Sequence, residues 1–136
     1  VLKNQEKKEN EMEKNAKIYV AGHKGMVGSA IVRELLRQGY TNLVTKSHKQ
    51  MDLTKQKQVE DFFKREKPEY VFLAAAKVGG ILGNSMGKAD FIYENMMIEM
   101  NVIHSAWQNG CRRLEFLGSS CIYPRLAPQP MAESCL

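Results

Sequence analysis

The sequence lacks the features that mark a membrane or secreted protein. No apolar run approaches the roughly 18 residues needed to cross a bilayer, and the N-terminus has no apolar core of a secretory signal. The three cysteines, Cys111, Cys121 and Cys135, are an odd number and lack the spacing of a zinc site. We therefore expect no membrane segment and no metal site, and a reducing, cytoplasmic location.

Positive charge is in modest excess and is not clustered. The chain has 20 Lys and Arg against 15 Asp and Glu, a formal net charge of +5. In residues 1–16 four lysines and four glutamates cancel, and there is little to bury, which predicts a charged, flexible arm or a frayed helix. The excess on residues 17–136 suits an anionic ligand such as a phosphorylated cofactor or a sugar nucleotide. Nucleic acid is the alternative, but the charges are scattered without an aromatic platform, so we expect no nucleic-acid partner.

Three glycines spaced three apart follow a short apolar strand. Gly22 permits a tight exit from the strand, Gly25 lets a pyrophosphate approach the backbone, and Gly28 allows close packing of a helix on the sheet. A strand before them, at 18–21, and a helix after them, at 30–38, are the context that a dinucleotide-binding turn requires. The predicted phosphate-binding segment comprises Gly22, His23, Lys24, Gly25, Met26, Val27 and Gly28. A plain tight turn is the alternative.

Strand and helix signals alternate along the rest of the chain. We predict strands at 18–21, 43–45, 70–76 and 114–118 and helices at 30–38, 54–66 and 89–108. Thr54 is expected to cap the second helix, and the apolar strand 70–76 to be buried on both faces. Right-handed crossovers then make an α/β fold, an incomplete Rossmann-like doubly wound parallel sheet of about four strands in the order 3-2-1-4, with strand four at an open edge. A chain of 136 residues accommodates this one domain, 17–136, but not a separate substrate domain.

The end of the second predicted strand determines the choice of cofactor. At that point a carboxylate binds the ribose hydroxyls of NAD, whereas a basic side chain accommodates the 2′-phosphate of NADP. Lys46, Ser47, His48 and Lys49 occupy the position, which gives three potential cations and a hydroxyl donor, and no acid occurs until Asp52. The stretch favours NADP(H), because charge-assisted hydrogen bonds to a phosphate are about twice as strong as neutral ones. The alternative is a solvated basic loop. Asp52 and Leu53 are better placed beside the adenine.

Several segments together resemble the GDP-L-fucose synthases, a family of extended short-chain dehydrogenase/reductases. They are the glycine segment 22–30, the segment 74–80 (Ala-Ala-Ala-Lys-Val-Gly-Gly), the segment 117–124 (Leu-Gly-Ser-Ser-Cys-Ile-Tyr-Pro), and the segments 89–95 and 128–134. Members of this family epimerise C3 and C5 of GDP-4-keto-6-deoxy-D-mannose and reduce its C4 ketone with NADPH. The resemblance, which covers about residues 17–135, implies that activity, a GDP-sugar substrate and a homodimer.

The resemblance also implies roles for individual residues. Ser119 matches the family's catalytic serine, which hydrogen-bonds the sugar carbonyl, and Cys121 matches its epimerisation acid/base. The implied cofactor contacts beyond the glycine segment are Lys46, Ser47 and His48 at the 2′-phosphate, Asp52 and Leu53 at the adenine, and Ala74, Ala75, Ala76, Leu117, Gly118, Ser119 and Ser120 along the nicotinamide half.

The chemistry of Ser119 and Cys121 is consistent with these roles. Both follow the C-terminal end of a predicted parallel strand, where open α/β sheets bind their ligands. Protons beside a ketone are acidic because the carbonyl oxygen stabilises the enolate, so one acid/base pair with an oxygen donor can serve both epimerisations. A thiol, with an ordinary pKa of about 8.5, suits the task. The alternative for Cys121 is a small buried hydrophobe.

The family's reductive step needs a tyrosine followed four residues later by a lysine, and none of the five tyrosines here has that partner. The resemblance places this pair, the second epimerisation residue and the GDP-sugar domain beyond Leu136. We therefore expect the chain to be the N-terminal part of a bifunctional epimerase-reductase. The alternative is a truncated NADP-binding or dimer-forming module without turnover.

A stripe of apolar side chains follows the long predicted helix. It consists of Ile92, Met96, Met97, Met100 and Ile103. The spacing predicts a core face or a helix-packing face, and the resemblance implies that part of it packs in a homodimer.

Overall fold

The computed structural model describes residues 12–136, so residues 1–11 of the predicted arm lie outside the described residues. One parallel sheet contains the strands β1 (Ile18–Ala21), β2 (Leu43–Val44), β3 (Tyr70–Leu73) and β4 (Arg113–Phe116). The helices are α1 (Met26–Arg37), α2 (Gln56–Glu66), α3 (Ile81–Met86) and α4 (Lys88–Gln108), and short 3₁₀ turns cover Ser120–Ile122 and Glu133–Cys135. The alternation confirms the predicted α/β, Rossmann-like class.

The strand order differs from the predicted 3-2-1-4. The sheet runs β2-β1-β3-β4, so β3 lies in the interior and β2 at an edge. The physical reason is strand length: β2 has two half-buried residues and cannot support neighbours on both sides. The four residues of β3 pair with all four of β1, and those of β1 are completely buried. The connection from β2 to β3 therefore crosses over β1.

Helices pack on both faces of the sheet because side chains of a strand alternate between its faces. Ile18 and Val20 of β1 pack with Leu35 of α1 on one side. Tyr19 of β1 packs on the other side with Phe63 of α2, their ring centroids 5.8 Å apart and nearly perpendicular. That second face is the larger core; it also contains Ala21, Met51, Val59, Phe62, Val71, Leu73, Val102 and Ala106. Burial raises the pKa of Tyr19.

Several predicted element bounds need correction. β3 ends at Leu73, and the residues 74–76 form a non-strand connection. The second helix begins at Gln56 after Lys55 and has no side-chain cap, because the Thr54 hydroxyl donates to Asp52 Oδ1 at 2.8 Å instead. The short helix α3 was not predicted.

The side of the sheet towards β4 is sparsely covered. Val71 and Leu73 of β3 are buried, but Tyr70 and Phe72 on the opposite face are only half-buried, so the predicted burial of both faces is incomplete. In β4 three of the four residues are exposed. The expectation that strand four lies at an open edge is confirmed.

Residues 12–16 pack on the domain although the sequence assigned them to the arm. The Tyr40 hydroxyl donates to the Met12 carbonyl at 3.3 Å, and the Asn42 side chain donates to the Asn15 carbonyl at 3.0 Å. Lys14 Nζ lies 4.0 Å from the centre of the Tyr40 ring. Ala16 is buried. The packed part of the chain therefore includes residues before 17.

Candidate functional site

A groove of about 460 Å³ opens at the carboxyl ends of β1, β2 and β3. The connection after β1 leads to α1 on one face of the sheet, and the connection after β3 leads to α4 on the other. Open α/β sheets bind ligands at such a switch point. The lining residues are Gly22, His23, Lys24, Gly25, Lys46, Ser47, His48, Met51, Asp52, Leu53, Thr54, Ala74, Ala75, Ala76, Lys77, Glu94 and Ile98.

The glycine loop fits against its surroundings only without side chains. Gly22 has a φ of +81°, and a Cβ there would lie 2.6 Å from the Ala74 carbonyl oxygen at the end of β3. A Cβ on Gly28 would lie 2.2 Å from the Gly22 carbonyl oxygen, so α1 approaches the loop closely. Real Cβ atoms do not come so close to backbone, so space requires glycine at both positions, and at Gly22 the positive φ requires it as well. Gly25 is less constrained, with 3.3 Å to the same oxygen.

The helix that follows presents its N-terminus next to the groove. Helix α1 begins after Gly25, which provides no side-chain cap, and its first turn carries no acidic side chain. The first backbone N–H groups of a helix have no partner inside it and, with the helix dipole, favour an anion. His23 lies in the same loop, and its Nδ1 is buried without a hydrogen-bond partner among the described residues. The loop thus holds polar groups that an anionic ligand would satisfy.

Basic side chains and one carboxylate line the groove near the end of β2. Lys46, Ser47 and His48 lie there as predicted, together with Lys24 from the glycine loop. Ser47 is already engaged: its hydroxyl donates to Gln50 Oε1 at 2.9 Å. The basic side chains at this end of the groove are therefore Lys24, Lys46 and His48. The Ser47 hydroxyl is already used in a bond within the chain.

The carboxylate of Asp52 lies beside this basic group. Its partial burial disfavours the charge, but hydrogen bonds from the Thr54 N–H at 2.9 Å and hydroxyl at 2.8 Å, together with the charges of His48 and Lys55, outweigh burial and lower the pKa of Asp52. Asp52 is therefore an ionised acceptor at neutral pH, and its oxygen is oriented by the turn that it forms with Thr54.

Residues 18–136 match the profile of the NAD dependent epimerase/dehydratase family. The chain belongs to this family. It is 63% identical over 124 residues to GDP-L-fucose synthase 1 of Arabidopsis thaliana. This match covers 91% of this chain and 38% of the relative. It is 56% identical over 118 residues to the GDP-L-fucose synthase of Escherichia coli. That match covers 87% of this chain and 37% of the relative.

A solved structure of another family member has the same fold. The GDP-mannoheptose C4 reductase of Campylobacter jejuni, whose structure has NADP bound, superposes with a TM-score of 0.88 at 48% sequence identity. The match covers 93% of this chain and 40% of that one. The chain thus spans well under half the length of the relatives it matches.

The groove also has walls formed by residues that the sequence did not indicate. The missed lining residues are Met51, Thr54, Lys77, Glu94 and Ile98. Lys77 directly follows the predicted Ala74–Ala76 contacts, and this adjacency could have indicated it. Its Nζ lies 2.5 Å from Glu94 Oε1 of α4. Glu94 and Ile98 reach the groove only because α4 packs beside β3, which no local pattern indicates.

Some predicted contacts lie outside the lining of the groove. They are Met26, Val27, Gly28, Leu117, Gly118, Ser119 and Ser120. The Leu117 N–H donates to the Leu73 carbonyl at 3.3 Å, which continues the β3–β4 pairing past the end of β4. Ser119 Oγ accepts a hydrogen bond from the Cys121 N–H at 3.2 Å and caps the 3₁₀ turn Ser120–Ile122. The side chains of Ser119 and Cys121 are both exposed.

Residues 12–136 contain no group of three or more His, Cys, Asp or Glu side chains that could hold a metal ion. None of the helices there is long and apolar enough to span a bilayer. Cys111, Cys121 and Cys135 are all free thiols.

Proposed function

We propose that the protein to which this chain belongs is a GDP-L-fucose synthase, which epimerises GDP-4-keto-6-deoxy-D-mannose at C3 and C5 and reduces its C4 ketone with NADPH. The observation that carries the proposal is the groove, in which a glycine loop, a helix N-terminus and a basic strand end converge. The curated relatives named GDP-L-fucose synthase support the choice of substrate. A localisation in the cytoplasm is part of the proposal.

The residues of the groove fit NADP(H). The glycine loop and the N-terminus of α1 pack closely because Gly22 and Gly28 have no Cβ, and the buried Nδ1 of His23 in this loop lacks a partner among the described residues. Lys46 and His48 would hold the 2′-phosphate, because cationic donors bind phosphate strongly. Asp52 would border the adenine. When bound, the cofactor supplies the hydride for the C4 ketone.

Ser119 and Cys121 are proposed to act on the sugar. A hydroxyl has one donor and two acceptor positions. Since Ser119 accepts from the Cys121 N–H, its own proton remains available for the carbonyl oxygen of a bound ketone. The exposed Cys121 would be one member of the acid/base pair at C3 and C5, exchanging a proton on one face of the enolate, while the second epimerisation residue, which the resemblance places beyond Leu136, exchanges a proton on the opposite face. The chain contains no Tyr-x-x-x-Lys pair, so we propose that it binds NADP(H) by itself without turnover.

The 2′-phosphate assignment can be tested on the chain itself with 2′,5′-ADP and 5′-AMP, which differ only in the 2′-phosphate. In NMR titrations the Lys46→Ala/His48→Ala double variant should weaken 2′,5′-ADP at least about tenfold and 5′-AMP less than about threefold. Lys49→Ala removes the same charge next to His48 from a residue outside the groove lining, and it is the control. Equal losses for both ligands would contradict the assignment.

The activity can be tested by grafting residues 17–136 into the E. coli relative in place of the matching segment. The graft should oxidise NADPH only when GDP-4-keto-6-deoxy-D-mannose is added. Cys121→Ala in the graft should lower solvent-deuterium incorporation at C3 and C5 about 100-fold or more. A folded graft that binds NADPH but never turns over this substrate would refute the proposed function.

The homodimer is proposed to form through α4. Its side chains Met96, Met100, Ile103 and Trp107 are exposed in the described chain, so of the two interpretations of the stripe a helix-packing face suits Met96, Met100 and Ile103 better than a core face. Met97 is half-buried. Light scattering on the chain should give a dimer mass that Met100→Glu reduces to a monomer. Leu126→Glu, on a residue 93% exposed elsewhere, should leave the mass unchanged.

A further inference from the structure

Helix α4 places two asparagines on either side of a groove residue. Asn95, Ile98 and Asn101 are spaced three residues apart. A helix turns by about 100° per residue, so three residues turn it by about 300°, which is about 60° short of a complete turn. The three side chains therefore share an arc of about 120°. Ile98 at the centre of the arc lines the groove and packs against the main core. Asn95 and Asn101 flank it without lining the groove themselves.

Asn101 connects α4 to the wall of the groove that follows β2. Its side chain is only 7% exposed, and its Nδ2 donates to the Leu53 carbonyl at 2.9 Å. Leu53 lines the groove between Asp52 and Thr54. An amide is buried in a core only when it makes hydrogen bonds, because an unpaired polar group costs free energy. The bond thus holds the backbone of this turn at a set distance from α4.

Asn95 connects the same helix to the wall that follows β3. The Lys77 N–H donates to Asn95 Oδ1 at 2.7 Å, and Asn95 Nδ2 donates to the Lys77 carbonyl at 3.0 Å. One side-chain amide therefore pairs both backbone groups of a residue that lines the groove. The ion pair of Lys77 with Glu94, at 2.5 Å, strengthens the connection.

We propose that Asn95 and Asn101 are positioning residues that set the separation of the two walls of the cofactor groove. Asn101 positions the wall at Asp52 and Leu53, towards the adenine. Asn95 positions the wall at Lys77 and the preceding alanines, towards the nicotinamide. The inference rests on the proposed binding of NADP(H) in this groove. A purely structural role predicts that each substitution lowers stability without distinguishing one part of the ligand from another.

The test uses the conservative variants Asn101→Asp and Asn95→Asp in the 136-residue chain. An aspartate keeps the shape but cannot donate, so the Leu53 or Lys77 carbonyl loses its bond and faces a carboxylate. Asn109→Asp is the control: Asn109 caps the C-terminus of the same helix, and the change removes a donor to the Ser105 carbonyl at 2.7 Å and adds the same charge outside the groove lining. NMR titrations with NADP⁺ and with 2′,5′-ADP measure the dissociation constants.

We expect a split between the two ligands. Asn101→Asp should weaken NADP⁺ and 2′,5′-ADP alike, about tenfold, because both contain the adenine. Asn95→Asp should weaken NADP⁺ about tenfold and leave 2′,5′-ADP within about twofold. Asn109→Asp should leave both within about twofold. If an aspartate variant loses cooperative unfolding, Asn95→Ala and Asn101→Ala, which add no charge, should show the same split.

The outcomes separate this inference from the proposed function. A folded wild-type chain that binds neither ligand overturns the cofactor assignment, and the inference with it. If the wild-type chain binds both ligands and the three variants have the same dissociation constants as one another, only the positioning roles are overturned. Equal weakening of both ligands by Asn95→Asp also overturns the role of Asn95, since the effect then does not follow the wall that it contacts.

Discussion

The two sides of the sheet differ in how completely the described chain surrounds them. At β1 every residue is buried, and the following loop contains two glycines whose Cβ positions are already occupied by backbone. At β4 three of four residues are exposed, and none of residues 117–136, all of which the structure describes, is buried. The proposed cofactor groove lies on the first side, and Ser119 and Cys121 lie on the second.

The difference shows which functional positions depend on packing within this chain. The walls of the groove are held by a buried strand, a close-packed helix and side-chain bonds from α4. Ser119 and Cys121 are held by local hydrogen bonds of a 3₁₀ turn, in which Ser119 accepts from the Cys121 and Ile122 N–H groups. The groove therefore has a defined shape here, whereas the geometry of the proposed catalytic pair relative to a substrate depends on further contacts to that side of the sheet.

The largest expected contrast is between two phenylalanines. Phe63→Ala should destabilise the chain by about 3–5 kcal/mol, because Phe63 is fully buried between α2 and β1 and its loss leaves a cavity. Phe116→Ala, at a residue 42% exposed in β4, should cost less than about 1 kcal/mol. Urea denaturation followed by circular dichroism measures both. Similar losses would mean that the β4 side is as well packed as the β1 side.

A second contrast uses glycines from the same two regions. Gly28→Ala should cost about 2 kcal/mol or more, since its Cβ would lie 2.2 Å from the Gly22 carbonyl oxygen. Gly118→Ala should stay within about 0.5 kcal/mol, because its nearest neighbour, Phe116 Cε1, would be 3.9 Å away. The same unfolding measurement applies. A neutral Gly28→Ala would show that α1 can withdraw from the loop without loss.

The reaction rates of the Cys111 and Cys121 thiols measure the difference in burial between the two regions without altering a core side chain. Cys111 is half-buried and its Sγ lies 3.1 Å from the Arg113 carbonyl; burial raises the pKa of Cys111. Cys121 is exposed, so it should react with a disulfide reagent at about pH 8 at least about tenfold faster than Cys111. Mass spectrometry of the labelled peptides assigns the rates, and Cys121→Ser should remove the fast phase. A fast phase that survives this substitution would contradict the expectation.

The smallest expected effect is the pH dependence from Asp52. Its pKa is lowered in the folded chain, so the stabilisation is present above its ordinary pKa of 3.8 and is lost as pH falls through the folded value. The difference in unfolding free energy between wild type and Asp52→Asn should be below about 1 kcal/mol at neutral pH and shrink towards zero in acid. Thr54→Val should reduce this pH dependence, since it removes one of the two hydrogen bonds. A difference that grows in acid would have the wrong sign.

Much of the groove was predictable because its residues adjoin recognisable strand ends. Gly22 and Gly28 occupy their predicted places, and Lys46, His48 and Asp52 line the groove as expected. The contribution of α4 was not predictable. Asn101 and Leu53 are 48 residues apart, and nothing in either neighbourhood indicates the other.

What the sequence by itself determined is therefore local: where strands and helices alternate, where the chain must turn without a side chain, and which basic residues follow β2. These follow from steric limits and patterns within a few residues. The tertiary structure alone decided that β3 lies beside β1, that Asn101 bonds the Leu53 carbonyl, and that Met100 is exposed. Such outcomes depend on competition among distant segments for the same burial and the same hydrogen bonds, and only the assembled fold resolves that competition.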